Sequence, residues 1–286
     1  MPMDVRHVAV VGAGTMGAGI AQVFAQAGYE VSLQDVSQPA VDAARRRIEG
    51  SIDKFVDKGK IARADAEAAL GRLRVHTTIE ALAAADFVVE AIVEDVATKR
   101  QLFAALDAIV RPDVVLSSNT SSISITTLGA ATKRPALVLG MHFMNPVPLM
   151  TLVELIRGQA TSDEAMETAR TLAGRVGKTA VEAADYPGFI ANRILMPMIN
   201  EAAYALMEGV GSREAIDTVM KLGMNHPMGP LTLADFIGLD VCVAILDVMH
   251  EGLGDPKYRA CPLLRRMVAA GHLGRKSGQG FYEYSR

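Results

Sequence analysis

The chain has 286 residues, half of them hydrophobic, with a net charge of −3 and no tryptophan. That length exceeds one nucleotide-binding unit and suits two domains, and the near-balanced charge excludes the basic field that wholesale nucleic-acid or anionic-membrane binding requires. Two cysteines, Cys242 and Cys261, do not make a disulfide scaffold and are expected to be reduced, structural thiols.

The first element is an apolar strand, Val8–Val11, running directly into Gly12-Ala13-Gly14-Thr15-Met16-Gly17. Helical spacing follows through Ile20, Val23, Phe24 and Ala27, closed by Gly28. A second strand, Glu30–Gln34, ends at Asp35. Gly12 permits the tight turn, Gly14 lets the backbone approach a pyrophosphate, and Gly17 lets the helix pack on the strand. The amides of Thr15, Met16 and their neighbours open a helix N-terminus that favours diphosphate charge. Asp35 can accept from a ribose 2′-hydroxyl and repels a 2′-phosphate, which points to NAD(H) over NADP(H). The alternatives are a Gly-rich turn in an ordinary α/β unit and, for Asp35, a helix cap.

Two helical stretches come next, Pro39 to about Lys58 and Ala62 to Gly71, read as a projecting pair. Further strands are expected at Arg74–His76, Phe87–Ala91, Val114–Ser117, Leu137–Met141, Leu152–Ile156 and Thr179–Glu182. Short continuous apolar runs separated by helices argue for a buried, mostly parallel sheet. The pattern changes at Asp185-Tyr186-Pro187-Gly188, where Pro and Gly mark a turn. Beyond it only helices are expected: Phe189 to about Met207, Ser212 to Leu222 with Ser212 as its cap, Leu231 to about Met249, and Leu263 to Ala270 before a Gly-rich tail. The fold class is thus an α/β Rossmann-type, doubly wound, mostly parallel sheet domain (1–184) followed by a smaller all-helical domain (185–286).

Polar chemistry collects at expected strand ends. Ser117–Ser122 follows one strand and Met141–Pro148, containing His142, follows the next; ligands of open α/β sheets bind at such ends. Turn chemistry for the serines and a hydrogen-bonded core imidazole for His142 are the competing readings. Glu154 interrupts the apolar strand Leu152–Ile156. An acid buried there needs a partner. A His–Glu pair makes a base of fixed tautomer and orientation, and the alternative is an acid facing solvent at a sheet edge.

These motifs, with Glu90–Asp95, Asp185–Arg193 and the terminal Gly274–Tyr282, make the whole chain resemble the L-3-hydroxyacyl-CoA dehydrogenase family, most closely its short bacterial 3-hydroxybutyryl-CoA members. The resemblance implies His142 as catalytic base, Glu154 as its carboxylate partner, and Ser121 and Asn192 on the reacting oxygen. It implies Glu94, Lys99, Ser121, Asn145 and Lys276 around the cofactor NAD(H), with Ser51 and Lys58 on coenzyme A. For Lys58 a solvated helix face competes. No metal is implied. The expected substrate is an acyl-CoA, bound in an interdomain cleft, with no nucleic-acid or membrane partner.

A homodimer through the helical domain is expected from the surplus of apolar residues there and from the family. No apolar run is long enough to cross a bilayer and no signal peptide precedes the first strand, so the expected location is cytoplasmic. Other nicotinamide enzymes of two-domain plan, the β-hydroxyacid dehydrogenases, use a Lys on the long helix after the turn; the segment 189–208 holds Arg193 and no Lys. A recruited structural protein is expected to have lost some catalytic positions, yet His142, Glu154, Ser121 and Asn192 are all present, and a nucleotide sensor would not need the His142–Glu154 pair.

Overall fold

A computed structural model describes residues 3–284. Its contacts divide the chain into two units, Met1–Asp185 and Tyr186–Arg286.

The first unit begins β1 (His7–Val11), α1 (Thr15–Gln26), β2 (Glu30–Gln34), α2 (Gln38–Asp57), α3 (Arg63–Gly71), β3 (Leu73–His76) and β4 (Phe87–Glu90). It continues through α4 (Val96–Ile109), β5 (Val115–Ser118), α5 (Ile125–Gly129), β6 (Val138–Phe143), β7 (Leu152–Arg157), α6 (Asp163–Arg175) and β8 (Thr179–Ala184). The strands form one eight-stranded sheet in the order β3-β2-β1-β4-β5-β6-β7-β8. Every neighbouring pair is parallel except β6 and β7. Strand order reverses between β1 and β4, which is where ligands of such sheets bind. Runs such as Val8–Val11 and Phe87–Val89 form strands because apolar, largely β-branched residues suit a sheet covered on both faces.

Helix starts are set by side chains that accept from first-turn amides: Ser37 from Ala40, Asp95 from Thr98, and Ser162 from Ala165. Each such cap contributes about 1 kcal/mol. The α2–α3 pair is not a free projection. Val41, Ala44, Ile48 and Ile52 of α2 are fully buried and belong to the core of this unit. Their spacing of three and four residues makes a single apolar stripe.

The second unit holds α7 (Ala191–Met207), α8 (Arg213–Thr218), α9 (Pro230–Ile237), α10 (Leu239–Leu253) and α11 (Pro262–Ala269). The single helix expected from Leu231 to Met249 is two, because Gly238 sits between them at φ +106, outside the helical region. The helix capped by Ser212 stops at Thr218 and passes into a π-turn, Val219–Gly223. The tail adds isolated bridges, Gly274 to Gln279 and Gln279 to Glu283. Met196, Ile199, Leu231, Leu239, Leu246 and Leu264 form a separate core with both cysteines. Burial, then the charges of Asp240 and Asp235, push the Cys242 thiol up to about 12. Among the described residues no helix is long and apolar enough to cross a membrane.

Candidate active site

The turn after β1 is built for close approach. A Cβ on Gly17 would lie 1.8 Å from the Gly12 carbonyl oxygen, and one on Gly12 2.4 Å from that of Ala91. Gly12 also has φ +103. Over Gly14, by contrast, nothing lies within 4 Å of the same position. The first turn of α1 has neither a side-chain cap nor an acidic residue, so its amides face an open cradle suited to an anion. Asp35, at the end of β2, accepts from the backbone N–H of Ala13 at 2.9 Å and of Ser37 at 3.1 Å. Its carboxylate therefore braces the glycine turn and stands in the same cavity. That cavity, about 560 Å³, is lined by Gly12, Gly14, Asp35, Val36, Ile92 and Leu102 among others. Apolar walls with one acid suit an adenosine. The cradle and acid together fit NAD.

Sequence reasoning missed Thr77, Ile79, Thr98 and Leu102 of this lining. Thr77 directly follows β3, so its place at a parallel strand's carboxyl end was a usable signal.

Next to the cradle, the ends of β4, β5 and β6 are tied together by polar side chains. Glu90 is fully buried and accepts from the Lys99 ammonium at 2.6 Å, Ser118 Oγ at 2.5 Å and the Ile92 amide at 2.7 Å. Lys99, also buried, reaches Glu94 at 3.3 Å. Glu94 in turn accepts from Thr120 Oγ1 and from the amides of Ser121 and Ser122. Burial pushes the Glu94 carboxyl up; the Lys99 charge and these hydrogen bonds outweigh it and hold the group below the usual carboxylate range. The loop bearing Ser121 is thus wrapped around one carboxylate. Asn119 Oδ1 accepts from the Phe143 amide at 2.8 Å, which joins this loop to the strand of His142.

His142 lies inside β6, one residue from its end, because the strand runs to Phe143 rather than stopping at Met141. Its Nδ1 is 2.8 Å from Glu154 Oε2. The two residues are register partners in the antiparallel β6–β7 pair. Glu154 is 2% exposed and β7 lies inside the sheet, so the solvent-facing reading of this acid is excluded. A carboxylate at this distance assigns the imidazole proton to Nδ1, and Nε2 then carries the basic lone pair. Such a pair can accept a proton and stabilise the imidazolium that results.

Asn145 and Ser51 line one cavity of about 160 Å³ with Thr15 and Arg47. Ser51 and Lys58 line another of about 180 Å³ with Lys54, Phe55, Lys60, Pro146, Pro148 and Leu149. Three lysines lining one cavity suit a phosphate-bearing ligand; Lys54 and Lys60 were not anticipated.

Asn192 and Lys276 belong to the second unit. Asn192 is buried at the start of α7. Lys276 pairs with Asp240 at 2.6 Å. Its tail is held by Asp235, which accepts from the Phe281 and Tyr282 amides at 2.9 Å each. A Cβ on Gly274 would lie 2.3 Å from the Asp235 carbonyl oxygen, so glycine is required at that contact.

Comparison with known proteins bears on this geometry directly. Residues 7–186 match the model of the 3-hydroxyacyl-CoA dehydrogenase NAD-binding domain and residues 188–284 that of the same enzymes' C-terminal domain. The chain belongs to the 3-hydroxyacyl-CoA dehydrogenase family. Its first unit is the family's NAD-binding domain, and the family's members are NAD-dependent oxidoreductases. It is 54% identical to a probable 3-hydroxybutyryl-CoA dehydrogenase of Bacillus subtilis, across 99% of this chain and 98% of that one. It is 51% identical to a 3-hydroxybutyryl-CoA dehydrogenase of Bradyrhizobium diazoefficiens, across 99% and 97%. Among solved structures, the (S)-3-hydroxybutyryl-CoA dehydrogenase of Ralstonia eutropha is similar at TM-score 0.96 and 48% identity, covering 99% of this chain and all of that one.

Proposed function

We propose that this chain interconverts (S)-3-hydroxybutyryl-CoA and acetoacetyl-CoA with NAD(H), using His142 as general base and acid and Glu154 as its carboxylate partner. The observation that carries the reading is the 2.8 Å contact between His142 Nδ1 and Glu154, on the same carboxyl edge of the sheet as the dinucleotide cradle. In oxidation His142 Nε2 takes the proton of the substrate hydroxyl. NAD, when bound, would supply the acceptor for the hydride of the same carbon. Glu154 stabilises the imidazolium, and in reduction that imidazolium returns the proton to the developing alkoxide. Ser121 and Asn192 supply polar contacts to the oxygen on which charge develops.

Glu94, Lys99, Asn145 and Lys276 line the cofactor in this reading, and Ser51 and Lys58 contact coenzyme A. The close relatives' substrate supports the four-carbon thioester. The working form is a homodimer through the helical unit, where Ile194 is 69% and Phe236 47% exposed. Ile199 and Leu239, by contrast, are buried in that unit's own core. The location is cytoplasmic.

The test is NADH oxidation by purified protein with acetoacetyl-CoA, then with 3-oxoacyl-CoA thioesters of rising length and with one carrying a second carboxylate. The reading expects saturation with acetoacetyl-CoA and none with free acetoacetate. Failure with every thioester would sink it.

A further inference from the structure

Lys178 is a buried cation that none of the chemistry above uses. It lies between α6 and β8, and the residue is 9% exposed. Burial lowers its pKa from the ordinary lysine value, so placing an ammonium here opposes solvation. Its Nζ donates to two carbonyl oxygens, Val147 at 2.6 Å and Met150 at 2.5 Å. Both belong to the loop 144–151, which joins the strand of His142 to the strand of Glu154.

That loop is seated from several sides. Amides of Leu149 and Met150 donate to the Pro146 carbonyl at 3.0 Å each, closing a turn. Val147 packs against α1, where a Cβ on Gly19 would lie 2.9 Å from the Val147 Cβ. The Thr179 amide, next to Lys178, donates to the Thr151 carbonyl at 2.7 Å. The loop's outer face, Pro146, Pro148 and Leu149, is one wall of the cavity whose other wall is Ser51, Phe55 and Lys58. The carbonyls on its inner face have the Lys178 ammonium as a donor, and one cation draws both together.

We propose that Lys178 is a positioning residue for acyl-CoA: its ammonium pins the loop 144–151 from inside and so sets the wall of the coenzyme A cavity opposite Ser51 and Lys58. This rests on the function proposed above. A methionine fills similar volume without donors, so Lys178→Met releases the loop while keeping the packing. The dinucleotide cradle and Asp35 are built from other segments, and Asn145, the loop residue read as lining the cofactor, lies ahead of the two carbonyls that Lys178 holds.

The experiment measures steady-state kinetics with acetoacetyl-CoA, NADH affinity by fluorescence titration, and thermal stability. For Lys178→Met the expected result is a KM for acetoacetyl-CoA raised about tenfold, with kcat and the NADH Kd moving less than about threefold. Lys178→Gln, neutral and shorter but still a donor, is the second variant and is expected to fall between. In both, hydrogen exchange across 144–151 is expected to quicken. A folded variant with wild-type KM and only a lowered Tm would make Lys178 structural and overturn the proposal. So would loss of folding in both variants, because a positioning role requires that the fold stand without it. An inactive wild type would instead overturn the function itself, which keeps the two failures apart.

Discussion

His142 Nδ1 and Glu154 Oε2 lie 2.8 Å apart because the two residues face one another across an antiparallel hairpin within an otherwise parallel sheet. In an antiparallel pair, directly opposed side chains stand on the same face. The reversal at β7, which β8 follows, thus sets an imidazole and a carboxylate side by side, twelve residues apart in sequence.

Removing either member should therefore stop proton transfer without disturbing the cradle. His142→Gln is expected to lose at least about two orders of magnitude in kcat, the usual scale for a general base. Glu154→Gln is expected to lose less, and the double variant about as much as His142→Gln alone, since the two act as a unit. NADH titration should be unchanged in all three. Near-normal turnover in either single variant would remove the dyad.

Asp35 accepts from the amides of Ala13 and Ser37, and in the proposed reading it also sets the cofactor preference. Asp35→Ala should narrow the preference for NADH over NADPH, read as the ratio of kcat/KM values, because the carboxylate that repels a 2′-phosphate is gone. It should also lower stability by about 1–3 kcal/mol, as the amides of Ala13 and Ser37 lose their acceptor. A wild type using both cofactors equally would contradict the role given to Asp35.

The Glu90–Lys99 pair is nearly inaccessible, with side chains 0% and 1% exposed. Lys99→Met leaves a buried carboxylate uncompensated and is expected to cost about 3–5 kcal/mol. Replacing both residues by apolar ones of like size should cost less than that single change. Denaturant unfolding of the four forms of the cycle without cofactor measures the coupling, and additive costs would show that the pair does not act together.

Stability should depend on pH through His76. Its imidazole is pulled below the usual 6.5 by burial and by His7, with Ser32 Oγ lying 2.9 Å from His7 Nε2 and 3.3 Å from His76 Nε2. The unfolded chain binds more protons than the folded one below 6.5, so stability contributed by this site is complete above that value and lost as pH falls through it toward the folded pKa. His76→Gln is expected to flatten the fall in Tm on acidification between about pH 7 and about pH 5. An unchanged profile would place the acid sensitivity elsewhere.

The proposed dimer makes a further test. Ile194→Glu, on the exposed side of α7, should convert a sedimenting dimer to monomer and reduce turnover with it. A fully active wild-type monomer at micromolar concentration would end that reading.

Much of this was legible in the sequence because it depends on local rules. An apolar run followed by Gly12, Gly14 and Gly17, then a strand ending in Asp35, specifies a strand–turn–helix whose steric needs are those of the glycines themselves. The alternation of buried strands with helices, and the turn at Pro187-Gly188, follow from periodicity and backbone freedom. Long-range pairing could not be read that way. The need of a buried Glu154 for a partner suggested a His, but that β7 runs antiparallel to β6 and brings His142 to 2.8 Å from it is decided only in the assembled sheet. The Glu90–Lys99–Glu94 chain and the hold of Lys178 on Val147 and Met150 likewise join segments with no shared pattern. Local propensity set the elements; the need to give each buried charge a partner, which only the assembled sheet can supply, decided the site.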